Sequence, residues 1–189
     1  MIMSDRAVFS SRYSLAYQAI HWATALLMLA VVILGVYCGQ LVPGTEPRKS
    51  LLEIHKSIGF TILGLSLLRL ACRAFVRVPP FPNGMNGWQR MAAGLAHASL
   101  YAILLYMPLT GYVFSAAGGY HLAWFGFDVP RLLPLDKPLA RTGEELHVLG
   151  QWPLYALFAL HLAAVLWHHH VKRDGVLARM LPWRPALAR

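Results

Sequence analysis

Residues 147 to 161 read HVLGQWPLYALFALH, a run without a charge that is closed at each end by a histidine. Fourteen residues at about 100° each return a helix to within about 40° of its starting direction, after a rise of roughly 21 Å. His147 and His161 therefore face the same way at two depths of one helix. Imidazole is both a near-neutral acid–base group and a common metal ligand, so paired rings raise either chemistry. The same fourteen-residue step leads from His21 to Gly35, from His55 to Arg69 and from His97 to Gly111.

The elements that must position these residues are apolar. The chain has 189 residues, 57% hydrophobic and 13% charged, with a mean hydropathy of +0.49. A soluble domain carries about 25% charged residues. Four stretches, about 15–41, 51–75, 91–117 and 146–169, are each long enough to cross a bilayer core of about 30 Å. Proline- and glycine-rich segments divide them: VPGTEP (42–47), VPPFPNGMNG (78–87) and the long 118–143. No repeat or second domain is visible. The expectation is an all-α, antiparallel, integral-membrane four-helix bundle made by one domain, 1–189.

Basic residues set the expected orientation. Arg6, Arg12, Arg69, Arg73, Arg77, Arg90, Lys172, Arg173, Arg179, Arg184 and Arg189 fall on the side shared by both termini, eleven of the seventeen Lys and Arg. The other side carries Arg48, Lys49, Lys56, Arg131, Lys137 and Arg141, offset by six of the eight acids. The positive-inside bias puts both termini in the cytoplasm. The net charge of +9 follows from this topology and calls for no nucleic-acid partner. The first span reads as a retained anchor and not a cleaved signal. Cys38 and Cys72 fall toward opposite ends of their spans, so no disulfide is expected, and the absence of C-x-x-C-H argues against covalently attached haem.

On this topology the histidines fall at two levels. The outer level has His55 and His147 with Gly35 and Gly111; the inner level has His21, His161 and His97 with Arg69. Paired imidazoles across a bundle, with glycines opening space beside them, suit a planar macrocycle held by two axial bonds, and haem b is that ligand. Two levels imply two haems stacked across the membrane. Gly59 and Gly150, four and three residues after His55 and His147, are expected on the histidine faces, leaving room for a ring. Zinc or copper would want three or four ligands at one level, usually with acids, and no acid lies mid-span. That absence also disfavours a proton-coupled transporter.

Several stretches carry a family resemblance: YQAIHW (17–22), HKSIG (55–59), GLAHASLYAILLYMPLTG (94–111), FGF…P (125–130), LHVLG…ALHLAAVLWHHH (146–170) and RDGVLARMLP (173–182). Over nearly its whole length the chain resembles the bacterial cytochrome b561 family, four-span di-haem proteins that include superoxide:ubiquinone oxidoreductases. It is similar, more loosely, to the cytochrome b subunits of formate dehydrogenases and hydrogenases. The resemblance implies iron ligation by His21 with His161 at the inner haem, and by His55 with His147 at the outer one. The family commonly has an acid directly after the last outer ligand; here Val148 stands there, with Glu144 and Glu145 before the histidine.

The remaining candidates follow from position. Arg69 is placed either to hold a haem propionate or to snorkel to the interface. His168, seven residues past His161, and secondarily His97 are candidates to bind the head group of ubiquinone. His121 is expected at the surface, and His169 and His170 at the interface. Lys56, with Arg48, Lys49 and Arg131, is the candidate group for attracting superoxide. Six-coordinate haem iron has no open position, so single-electron transfer is the expected chemistry. The main reading is an enzyme oxidising superoxide outside and reducing ubiquinone in the bilayer. The alternative is a membrane anchor that passes electrons between a periplasmic dehydrogenase or hydrogenase, an unidentified redox partner, and the quinone pool.

Overall fold

The computed structural model describes residues 12–75, 79–81 and 85–182. Arg6, Arg77, Arg184 and Arg189, which enter the charge asymmetry, lie outside the described residues. Four helices are long and apolar enough to cross a membrane: α1 (Leu15–Gln40), α2 (Glu46–Phe75), α3 (Gly87–Ala117) and α4 (Lys137–Trp167). A π-helical turn (His168–Lys172) and a 3-10 turn (Leu177–Arg179) follow. The four-helix membrane bundle expected from the hydropathy pattern is borne out.

Three helices start earlier than the apolar pattern suggests, because capping chemistry and not hydropathy sets a helix start. Asn86 and Gln89 form a reciprocal capping box before α3. Asp136 accepts from the Leu139 amide at 2.9 Å, with Pro138 in the first turn of α4, so nine residues ahead of Leu146 are helical. Pro47 likewise falls in the first turn of α2, where its missing N–H costs nothing.

Each helix repeats its register at steps of seven. Met28, Ile62 and Leu154 follow His21, His55 and His147 by seven residues, and they cluster with Ile58 and Ile103 as the buried core. Leu104, seven after His97, packs against that cluster. An apolar tier about 10 Å from each histidine level therefore separates the two levels. Large apolar side chains elsewhere, among them Leu26, Ile33, Leu95 and Leu160, face outward, as a lipid-facing surface requires.

The two ends of the bundle differ. At the terminus end the tail folds back on the start of α1: Trp22 Nε1 donates to the Met180 carbonyl at 2.7 Å, and Gln18 Nε2 to that of Arg179 at 3.1 Å. At the other end the α3–α4 connection forms a two-stranded antiparallel hairpin, β1 (Ala123–Trp124) and β2 (Phe127–Asp128), unforeseen in the sequence. Its turn places Phe125 at φ 48° and Gly126 at φ 90°. Two positive φ values match the twist of a tight hairpin, and only the glycine adopts one without strain. Contacts to α2 hold it: Phe125 N donates to Ser57 Oγ at 3.0 Å and Trp124 Nε1 to Thr61 Oγ1 at 3.0 Å.

Helices α3 and α4 approach backbone to backbone at Gly143, where an added Cβ would lie 2.7 Å from the backbone nitrogen of Phe114. Gly143→Ala should therefore force the pair apart and cost about 1–3 kcal/mol of overpacking. Thermal denaturation in detergent should show a lowered midpoint for Gly143→Ala and none for Gly94→Ala, where a Cβ meets nothing within 4 Å.

Candidate functional site: two tiers of paired imidazoles

At the hairpin end, α2 and α4 bring His55 and His147 together with ring centroids 6.1 Å apart and planes at 81°. His55 Nδ1 lies 3.1 Å from the Val31 carbonyl of α1, and His147 Nδ1 lies 2.9 Å from the Met107 carbonyl of α3. A carbonyl only accepts, so each Nδ1 carries the proton and each Nε2 keeps a free lone pair. Metal-bound histidines characteristically use their second nitrogen in this way, which fixes tautomer and ring orientation.

Glycine makes that approach possible. Val31 is four residues before Gly35 and Met107 four before Gly111, so each imidazole reaches a carbonyl one helical turn from a glycine. A Cβ at Gly35 would stand 3.0 Å from His55 Cε1, and one at Gly111 would stand 3.2 Å from His147 Cε1. Both glycines that follow a histidine by fourteen thus lie against the imidazole of the neighbouring helix. Gly59 has open space around its Cβ position, in keeping with room for a ring. Gly150 requires a correction: a Cβ there would meet Tyr106 Cε1 at 2.6 Å and Met107 Sδ at 2.7 Å. It serves the close packing of α4 on α3 and opens no space for a macrocycle.

The terminus end has three rings. His21 and His161 stand 6.4 Å apart with planes at 72°, and His97 stands 6.0 Å from His161. The Nδ1 of His21 is buried with no hydrogen-bond partner among the described residues. Arg69 lies at the same tier, its guanidinium 5.2 Å from the ring centroid of Tyr17 and 5.5 Å from that of Tyr101. The two hydroxyls meet at 2.9 Å. Arg69 Nε is buried and unpartnered, as is Ser66 Oγ one turn away on the same helix. An orphaned guanidinium nitrogen inside a bundle is the complement of a carboxylate. The Tyr17–Tyr101 pair that holds it was not foreseen; tyrosines within apolar spans give no sequence signal of being partners.

These distances suit a bound metal atom. A metal–imidazole bond of about 2.0–2.1 Å on each side, with each ring centroid about 1.1 Å behind its nitrogen, spans about 6.3 Å. The His55–His147 and His21–His161 pairs both match, and orphaned Arg69 Nε gives a carboxylate-bearing macrocycle a binding partner. The residues present therefore fit a bis-imidazole haem at either tier.

The hairpin-end cations are mostly engaged. Lys56 Nζ contacts Glu53 Oε1 at 2.5 Å and also donates to the His121 carbonyl, and its side chain is 17% exposed. Lys49 pairs with Glu46 at 2.8 Å, and Arg131 donates to the Tyr120 carbonyl at 3.2 Å. Arg48 has no acidic partner among the described residues, and its Nε is buried and unpartnered. His121 is at the surface, between Glu53 and Asp128 at 3.4 Å each. At the terminus end His168 Nδ1 meets Asp174 Oδ2 at 2.5 Å, a pairing absent from the sequence reading although Asp174 lies in the quoted RDG stretch.

The model of the prokaryotic cytochrome b561 family matches residues 12–183. Among relatives, cytochrome b561 homolog 2 of Escherichia coli K12 is 31% identical over 172 residues, covering 90% of this chain and 91% of that protein. The probable superoxide oxidase CybB of Yersinia pestis is 30% identical over 177 residues, covering 90% and 96%. Cytochrome b562 of Cereibacter sphaeroides is 27% identical over 166 residues, covering 86% and 90%. A match that runs nearly end to end across all four spans identifies the chain as a member of the prokaryotic cytochrome b561 family, a multi-pass, haem b electron-transfer protein of the bacterial cytoplasmic membrane.

Proposed function

We propose that this chain is a superoxide:ubiquinone oxidoreductase built on two haem sites, His55 with His147 and His21 with His161. The observation that carries the reading is the outer pair, two imidazoles 6.1 Å apart whose Nδ1 atoms are both committed to backbone carbonyls. Both termini face the cytoplasm, which puts the hairpin end in the periplasm. When bound, bis-imidazole haem supplies one-electron transfer without a site for dioxygen. Overall, two superoxide anions each give up one electron and leave as dioxygen, while one ubiquinone takes two electrons and two protons and leaves as ubiquinol.

The chain's own residues bind, orient and neutralise. Val31 and Met107 hold the outer imidazoles in the ligating tautomer, and Gly35 and Gly111 admit them. Arg69, set against the rings of Tyr17 and Tyr101, would hold a propionate of the inner haem. Near the periplasmic tier, Lys49 and Lys56 are ion-paired, so attraction of an anion falls to Arg48 and Arg131, whose charges no carboxylate offsets among the described residues. On the cytoplasmic side His168, with His97 the weaker candidate, binds the quinone head group; the family likeness to the probable superoxide oxidase supports the donor.

A pyridine haemochrome assay on the purified chain should return two haems b per polypeptide; one or none would contradict the two-site reading. His147→Ala should remove only the outer haem and His161→Ala only the inner, each leaving about half the absorbance of the native protein, since each imidazole serves its own tier. The activity is tested in steady state, with enzymatically generated superoxide and a short-chain ubiquinone. Ubiquinol formation with loss of superoxide is expected. A fully haem-loaded protein that is inert to superoxide would instead support the anchor-subunit reading, with a dehydrogenase or hydrogenase as donor.

A further inference from the structure

We propose that Asp174 positions His168 so that the pair delivers protons to the quinone; this rests on the reading that ubiquinone is reduced at the terminus end. In a continuous α-helix a residue six places on lies about 240° around the axis and about 9 Å further along, beyond reach of the first. The chain departs from α-helix at this point. Residues His168–Lys172 form a π-helical turn, a feature frequent at functional sites. Arg173 then adopts the left-handed conformation, φ 52° and ψ 35°, uncommon for a non-glycine residue. The result folds Asp174 back onto the imidazole.

The carboxylate is anchored at both oxygens. Oδ2 takes His168 Nδ1 at 2.5 Å, and Oδ1 accepts from the Val176 amide at 3.2 Å. The side chains are 13% and 16% exposed, so the pair is shielded from bulk water yet retains an edge to it. Trp167 stands edge-on to the imidazole, with ring centroids 5.2 Å apart, and further restricts its rotation. With Nδ1 committed to the carboxylate, Nε2 is the nitrogen left for a ligand. His168 follows His161 by two helical turns on nearly the same face, about 10 Å nearer the terminus end.

The chemistry is that of a carboxylate-backed imidazole. Asp174 holds the ring through Nδ1–H, and the Nε2–H of the protonated ring donates to a quinone carbonyl oxygen. As an electron arrives on the quinone, that proton passes from Nε2 to the oxygen and an O–H bond forms. The neutral ring, still tethered through Nδ1, then takes a proton from cytoplasmic water. Two such cycles supply the two protons that accompany the two electrons of ubiquinol formation. No other acid is paired with a histidine at this end among the described residues.

The test uses the intact haem-loaded protein, chemically reduced and mixed with a short-chain ubiquinone in a stopped-flow instrument. Haem reoxidation gives a limiting rate and a half-saturating quinone concentration. Asp174→Asn should lower the limiting rate by about 10- to 100-fold, with haem content and half-saturation within about twofold of native. Asp174→Glu should recover most of the rate, and Asp174→Asn should add nothing to His168→Gln. If Asp174→Asn reoxidises at the native rate while His168→Gln is slow, Asp174 does not position the donor. Additive losses, or loss of haem in Asp174→Asn, would make the pair structural and overturn the inference. If His168→Gln itself keeps the native rate, the quinone assignment falls.

Discussion

The hydrogen bond from each hairpin-end imidazole to a carbonyl of the neighbouring helix is the contact on which the site depends. An imidazole inside a bilayer is costly unless its polar atoms are satisfied, and a helix interior offers only carbonyls already engaged in the helical ladder. A carbonyl has two lone pairs, so it can accept a second donor if the side chain can come close. Gly35 and Gly111 supply that closeness, for His55 Cε1 occupies the space next to one and His147 Cε1 the space next to the other. The bonds at 3.1 and 2.9 Å then fix which nitrogen is free. The apolar tier of Met28, Ile58, Ile62, Ile103 and Leu154 keeps the two polar levels apart.

Charge is distributed to match. At the hairpin end acids and bases interleave, with Glu46 on Lys49, Glu53 on Lys56 and Glu145 on Arg141, so that end has no broad basic surface. Any attraction of a small anion there is local, at Arg48 and Arg131, and not a field over the whole face. The terminus end collects the basic excess, and its C-terminal tail is tied to α1 through Gln18 and Trp22 and to the residues before it through Arg12. That tether also brings the segment carrying Asp174 back against the bundle.

Much of this was legible in the sequence because helices keep register. A fourteen-residue step preserves both face and depth arithmetic, so the numbering alone put His55 and His147 on one level with Gly35 and Gly111 beside them. It read those glycines as space for a macrocycle, and they lie instead against the imidazoles of the neighbouring helices. Gly150 was misread because a face is wider than one residue. Three places on from His147 is about 60° away, enough to turn toward Tyr106 and Met107. His97 falls within 6.0 Å of His161, and spacing alone could not rank it against His21. The hairpin and the His168–Asp174 pair were illegible for a different reason. Both depend on backbone that leaves the helical path, at Phe125 and Gly126 or at the π-turn and Arg173, and tertiary contacts select that path.

The two imidazole pairs proposed to hold haem iron are each set nearly at right angles, 72° in one and 81° in the other. Electron paramagnetic resonance of the oxidised, haem-loaded protein reports ligand number and ring orientation together. Two low-spin ferric signals per chain are expected, both of the strongly anisotropic kind that perpendicular imidazole planes produce. A high-spin ferric signal, or one low-spin species integrating to a single iron per chain, would contradict the proposal.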